Sequence, residues 1–116
     1  MHTVHNPNPA GNPMDGEMFI ASAMGIMFSV KDYDQSVTAE QIAIIDGFFG
    51  SLELTSFTNP KVKQSTYGDL MNMVNKENRW VYQGSVTTPP CAQKVYWNLL
   101  MTVYPIKQAH LDLFTA

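Results

Sequence analysis

Thr87 and Thr88 set two hydroxyls side by side directly before Pro89 and Pro90, and Cys91 follows. Each proline fixes its own φ and restricts the residue before it, so the hydroxyls ride on a stiff loop. Taken alone, Thr-Thr-Pro-Pro reads first as an ordinary turn between strands. The imidazoles are the other candidates for chemistry. His2, His5 and His110 are the chain's histidines, and no His-x-His pair occurs. On a strand, His2 and Val4 point to one side and His5 to the other. Taken alone, His2 reads as a core histidine. His110 reads as a solvated side chain on a surface helix. Cys91 is the single cysteine, so no disulfide can form within the chain. One reading of it is a buried free thiol.

The elements that must position these groups follow from the pattern of apolar residues. Met1 to His5 alternates as the tail of a strand does, and Asn6 to Glu17 is a loop rich in Pro, Gly and Asn. Met18 to Val30 reads as one or two buried strands. Ala21, Ala23 and Gly25 recur at every second position, which marks a face crowded by a close neighbour. Lys31 to Gln35 is a polar turn. Thr38-Ala39-Glu40-Gln41 has capping-box spacing, and Ile42, Ile45, Phe48, Phe49 and Leu52 form a helical stripe ending near Gly50. A short helix is expected around Asp69 to Val74, and a strand from Arg79 to Gln83 leading into Gly84-Ser85. Gln93 to Val103 is the clearest strand: Val95, Trp97, Leu99, Met101 and Val103 face one way, Lys94, Tyr96, Asn98 and Thr102 the other. A turn of helix near Ala109 to Phe114 closes the chain. Strands outnumber helices, which favours a large sheet with helices on its surface over a bundle.

With 116 residues the chain has room for one domain. Charged residues make up only 15%, below the globular norm, which fits a surface largely covered by more protein. A net charge of -3 leaves no electrostatic footprint for nucleic acid or an anionic membrane. No apolar run reaches transmembrane length, and the first residues do not have the pattern of a signal peptide.

The segment Tyr82-Gln83-Gly84-Ser85-Val86-Thr87-Thr88-Pro89-Pro90-Cys91, with Trp97 on the strand that follows, resembles the active-site loop of α-type carbonic anhydrases. Met1-His2-Thr3-Val4-His5 is similar to the family's strand bearing the third zinc ligand, matching from its second position onward. Ala23-Met24-Gly25-Ile26-Met27-Phe28 resembles the buried strand that comes next in those enzymes. The resemblance covers nearly the whole chain. It implies a mixed α+β, mainly β fold: part of a large twisted, mostly antiparallel sheet with surface helices. Residues 1–116 are then the C-terminal half of such a domain, the N-terminal half being absent.

The same resemblance implies the roles. Zinc lowers the pKa of its bound water to about 7, and the resulting hydroxide attacks carbon dioxide to give bicarbonate. His2 is the one zinc ligand present of the three expected. Thr87 accepts the hydrogen bond of the zinc hydroxide and Thr88 contacts bicarbonate. Val4, Ala23, Val86 and Trp97 line the substrate pocket, which Ala23, smaller than the family's usual Val, widens. In secreted and membrane-bound members a Cys at the position of Cys91 pairs with one near the domain's N-terminus. That implies a partner in the missing half and hints at a secretory or extracellular-type member, although the compartment itself stays open.

The family's first two ligands, its proton-shuttling His and the acidic residues that orient the site all lie upstream of Met1. The chain alone is thus expected to bind no zinc, to be inactive and to fold poorly, with long apolar edges exposed. Two readings follow. In one, Met1 is an internal methionine of a longer carbonic anhydrase. In the other, the chain is a non-catalytic structural or interaction subunit of a larger assembly, its sheet completed by a protein partner.

Overall fold

A computed structural model describes residues 1–5, 20–54 and 65–115. The expected loop from Asn6 to Glu17 lies outside the described residues, as does much of the stretch between Ser56 and the second helix. In chain order the elements are β1 (His2–His5), β2 (Ala21–Ser29), α1 (Ala39–Ser51), α2 (Tyr67–Met73), β3 (Arg79–Ser85), β4 (Gln93–Pro105) and α3 (Gln108–Asp112). The strands form one sheet in the order β1-β2-β4-β3. The pairs β1–β2 and β3–β4 are antiparallel. Between β2 and β4, the Ile20 N–H donates to the Lys94 carbonyl near one end and the Ile106 N–H to the Ser29 carbonyl near the other. These bonds advance together along both strands, which is parallel pairing. The architecture is mixed α+β and mainly β, as the sequence implied.

The chain divides into two compact units, Met1–Met27 with Lys76–Thr102, and Phe28–Asn75 with Val103–Ala116. In the first unit, His2 lies opposite Gly25 and Val4 opposite Ala23. Ala21, Ala23 and Gly25 are buried, and a Cβ on Gly25 would stand 2.9 Å from Leu99 Cδ1. That is the close neighbour the small-residue spacing called for. Burial along β4 departs from the simple alternation. Val95 and Trp97 are buried on one face, but Leu100, with no exposed surface, and Asn98 are buried on the other. A strand covered on both sides loses the alternating pattern. Lys94 does not simply face away either. Gly84 pairs with Val95 and Ser85 with Gln93, so Lys94 is the extra residue of a bulge, at φ 67°.

The second unit is built around α1. The capping box is present: the Gln41 N–H donates to Thr38 Oγ1 at 3.2 Å and the Thr38 N–H to Gln41 Oε1 at 3.0 Å. Ile45, Phe48 and Phe49 are buried, with Phe28 edge-on to Phe49 at 5.1 Å. Gly50 does not end the helix, which runs to Ser51. The left-handed residue that follows is Glu53, whose N–H donates to the Gly50 carbonyl at φ 48°. The second helix begins two residues earlier than expected, at Tyr67. His110 is less solvated than its sequence position implied. Its ring lies 5.7 Å from that of Phe49, and its Nε2 is 3.9 Å from Asp46 Oδ1, while Lys107 Nζ meets the other oxygen of that carboxylate, Oδ2, at 2.7 Å.

Candidate functional site

Strand periodicity and register put the candidate residues on one face of the first unit. His2 and Val4 alternate onto the same side of β1 and lie opposite Gly25 and Ala23 of β2. Ala23, Val95 and Trp97 form a buried apolar cluster with Ile20 packed against it. Across the sheet the His2 ring meets the Trp97 indole edge-on, centroids 4.8 Å apart. Tyr82, paired with Trp97 in register, stacks on the same ring at 6.4 Å. His2, Val4, Ala23 and Trp97 are thus brought together. Tyr82 opens the loop segment quoted from the sequence, but the sequence assigns it no role in the site. Its signal was there, two positions before Gly84, but only the register reveals the stack.

Gly84 explains how the indole fits. A Cβ there would sit 2.8 Å from Trp97 Cδ1 and 3.2 Å from Nε1, so the five-membered side of the indole lies close against bare backbone. The indole N–H donates to the Ser85 carbonyl at 3.0 Å. Directly beyond, the Val86 N–H donates to the Ala92 carbonyl at 2.9 Å and closes the loop that holds Thr87 and Thr88. The Pro89–Pro90 peptide bond is cis, and the Cys91 N–H donates back to the Thr88 carbonyl at 2.8 Å. The pair of prolines thus sits inside a tight turn. Thr87, Thr88 and Val86 are exposed on this loop, beside the buried cluster rather than within it. Cys91 is exposed, not buried, and carries a free thiol at φ 55°. His5 points to the opposite face from His2 and takes no part in this arrangement.

A family model for eukaryotic-type carbonic anhydrase matches residues 1–116. The chain belongs to the carbonic anhydrase family. A relative from Caenorhabditis elegans named "Putative carbonic anhydrase 3" is 40% identical over 40 residues, which is 34% of this chain and 16% of that relative. The match therefore spans about a sixth of the relative's length. Carbonic anhydrases as a family use zinc, and the donors described in this chain can be held to that requirement. Among the described residues, no group of three or more His, Cys, Asp or Glu is gathered where it could hold a metal ion. One imidazole, His2, does not meet zinc's need for three protein ligands. Among the described residues, no helix is long and apolar enough to cross a membrane.

Proposed function

We propose that residues 1–116 are the C-terminal half of an α-type carbonic anhydrase domain. The chain would supply the apolar wall of the carbon dioxide pocket, the threonine loop and one of three zinc ligands. What supports this reading above all is the convergence of His2, Val4, Ala23 and Trp97 on one sheet face. Val86 belongs to the same wall, and Thr87 and Thr88 to the substrate loop beside it. The remaining ligands, and the cysteine that would pair with Cys91, belong to residues outside this sequence. The chain by itself holds wall, loop and one donor, and no catalytic step through zinc follows from those alone. Carbon dioxide and bicarbonate are the substrates of the completed domain.

A second reading has its own observation. The outer strands β1 and β3 carry exposed apolar side chains, with Val4 66% and Trp80 61% exposed. Surfaces of that kind fit a chain covered by further protein, whether its own upstream segment or a separate subunit. In the non-catalytic form of this reading the chain is a structural or interaction component of a larger assembly.

The deciding experiment is the intact mass of the native polypeptide, with peptide mapping upstream of Met1, zinc content and carbon dioxide hydration. A mass well above 13.0 kDa, peptides bearing His-x-His, and one zinc lost on His2→Ala would support the enzyme. A mass of 13.0 kDa without zinc would favour the structural component. A 13.0 kDa chain that binds zinc and hydrates carbon dioxide overturns both.

A further inference from the structure

On the sheet face turned away from His2, the first unit carries a polar row that no family motif above accounts for. Arg79 Nε donates to Asn98 Oδ1 at 2.9 Å. Asn98 Nδ2 donates to Ser22 Oγ at 3.3 Å and to the Ala23 carbonyl at 3.4 Å. Arg79 is held at its far end as well, where Nη1 donates to the Lys76 carbonyl at 2.8 Å. The row joins β3, β4 and β2. Asn98 is buried, and among the described residues the other buried side chains are apolar or aromatic. A carboxamide offers two N–H donors and one oxygen acceptor, and here both functions are used.

The surrounding sequence shows what such a residue can do. Around the row, β2 and β4 are apolar or small on both faces: Ala21, Ala23 and Gly25 on one side, Met24, Ile26 and Leu100 on the other. Strands patterned this way specify their pairing weakly, yet a slip of one residue turns every side chain to the opposite face. A buried amide strongly prefers the register in which its partners are met, because leaving it unpaired carries a desolvation penalty. Asn98 directly follows Trp97 and reaches the carbonyl of Ala23 itself. It therefore grips, from behind, the two residues that pack together on the site face.

We infer that Asn98 is a positioning residue: with Arg79 and Ser22 it pins β4 to β2 in the register that sets Trp97 beside Ala23. Its consequence for a pocket wall rests on the function proposed above; the pinning does not. Asn98 acts through Trp97 and Ala23 and touches no substrate.

The test uses the intact polypeptide and the Trp97 indole N–H resonance, assigned by its loss in Trp97→Phe. Asn98→Leu takes the acceptor from Arg79 Nε and the donor from Ser22 Oγ, and is expected to lower the melting temperature by several degrees. The double variant Asn98→Leu, Arg79→Met also removes the exposed Arg79 side chain that Asn98 had engaged. In that variant too the indole resonance is expected to stay displaced. An indole resonance and a Trp97–Ala23 nuclear Overhauser contact identical to the parent's in the double variant overturn the inference. If neither variant folds, Ser22→Ala decides: a displaced resonance supports the pin and an unmoved one overturns it. Carbon dioxide hydration on the same samples separates the two claims. A displaced indole in an inactive parent counts against the catalytic reading alone. An unmoved indole counts against the pin, whatever the activity.

Discussion

The Trp97 indole N–H donates to the Ser85 carbonyl at 3.0 Å, so the ring that meets His2 also anchors the residue where the threonine loop departs from β3. Trp97→Phe keeps an aromatic ring but removes the donor. Stability is expected to fall by about 1–3 kcal/mol, from the lost bond and the missing part of the ring. Amide exchange at Val86, Thr87 and Cys91 should quicken. Urea unfolding and hydrogen exchange check both, and unchanged exchange at Thr87 would mean the loop is held by something else.

Gly84 and Gly25 both lack room for a Cβ, but their neighbours differ. At Gly84 the obstacle is the rigid Trp97 ring at 2.8 Å, and at Gly25 it is the tip of Leu99 at 2.9 Å. A leucine methyl can swing aside, whereas an indole hydrogen-bonded to Ser85 cannot. Gly84→Ala is expected to cost about 1–3 kcal/mol, the usual range for overpacking, and Gly25→Ala less. Parallel thermal melts of the two variants give the order directly.

Thr38 caps α1 through a reciprocal pair of bonds with Gln41. Thr38→Ala should cost about 1 kcal/mol, and Thr38→Ser much less, because serine offers the same acceptor. Chemical denaturation of the three proteins measures the difference. Equal midpoints for Ala and Ser would show that the hydroxyl contributes nothing.

Asp34 receives hydrogen bonds from the Ser36 hydroxyl at 2.7 Å and the Ser36 N–H at 2.8 Å, and these hold its carboxyl below the usual 3.8. A carboxyl depressed in the folded chain adds stability that is complete above its unfolded pKa and lost as pH falls through the folded one. The effect of this exposed group is therefore confined to the acid side of 3.8. Carboxyl carbon shifts recorded from pH 6 downward should show a low midpoint for Asp34, moved upward in Ser36→Ala. A midpoint unaffected by that substitution would remove the hydroxyl as the cause.

What the sequence disclosed was what short-range rules govern. Thr38 and Gln41 are three positions apart, so their cap could be read without a neighbour. His2 and Val4 could be assigned to one face because strands alternate, and Ala23 and Trp97 were added to it by the three ordered motif matches to the family. Leu100 could not be assigned to a core, since burial on the second face of β4 depends on what packs there and not on spacing. The link from Arg79 through Asn98 to Ser22 joins three strands, and its outward sign was one asparagine in an apolar run. His110 looked solvated because nothing local announces Phe49 or Asp46 beside it. The left-handed turn after α1 fell to Glu53 although Gly50 offered the freer backbone.

Asn98 and the Ala23 carbonyl it meets are 75 residues apart. During synthesis at about 5–20 residues per second, β2 leaves the ribosome on the order of 4–15 s before β4 exists to cover it. For that interval the small-residue face of Ala21, Ala23 and Gly25 has no partner from later in the chain. During those seconds only strands already made, such as β1, can pair with it. A translational pause between the codons for β2 and β4 would lengthen its time at risk of aggregation.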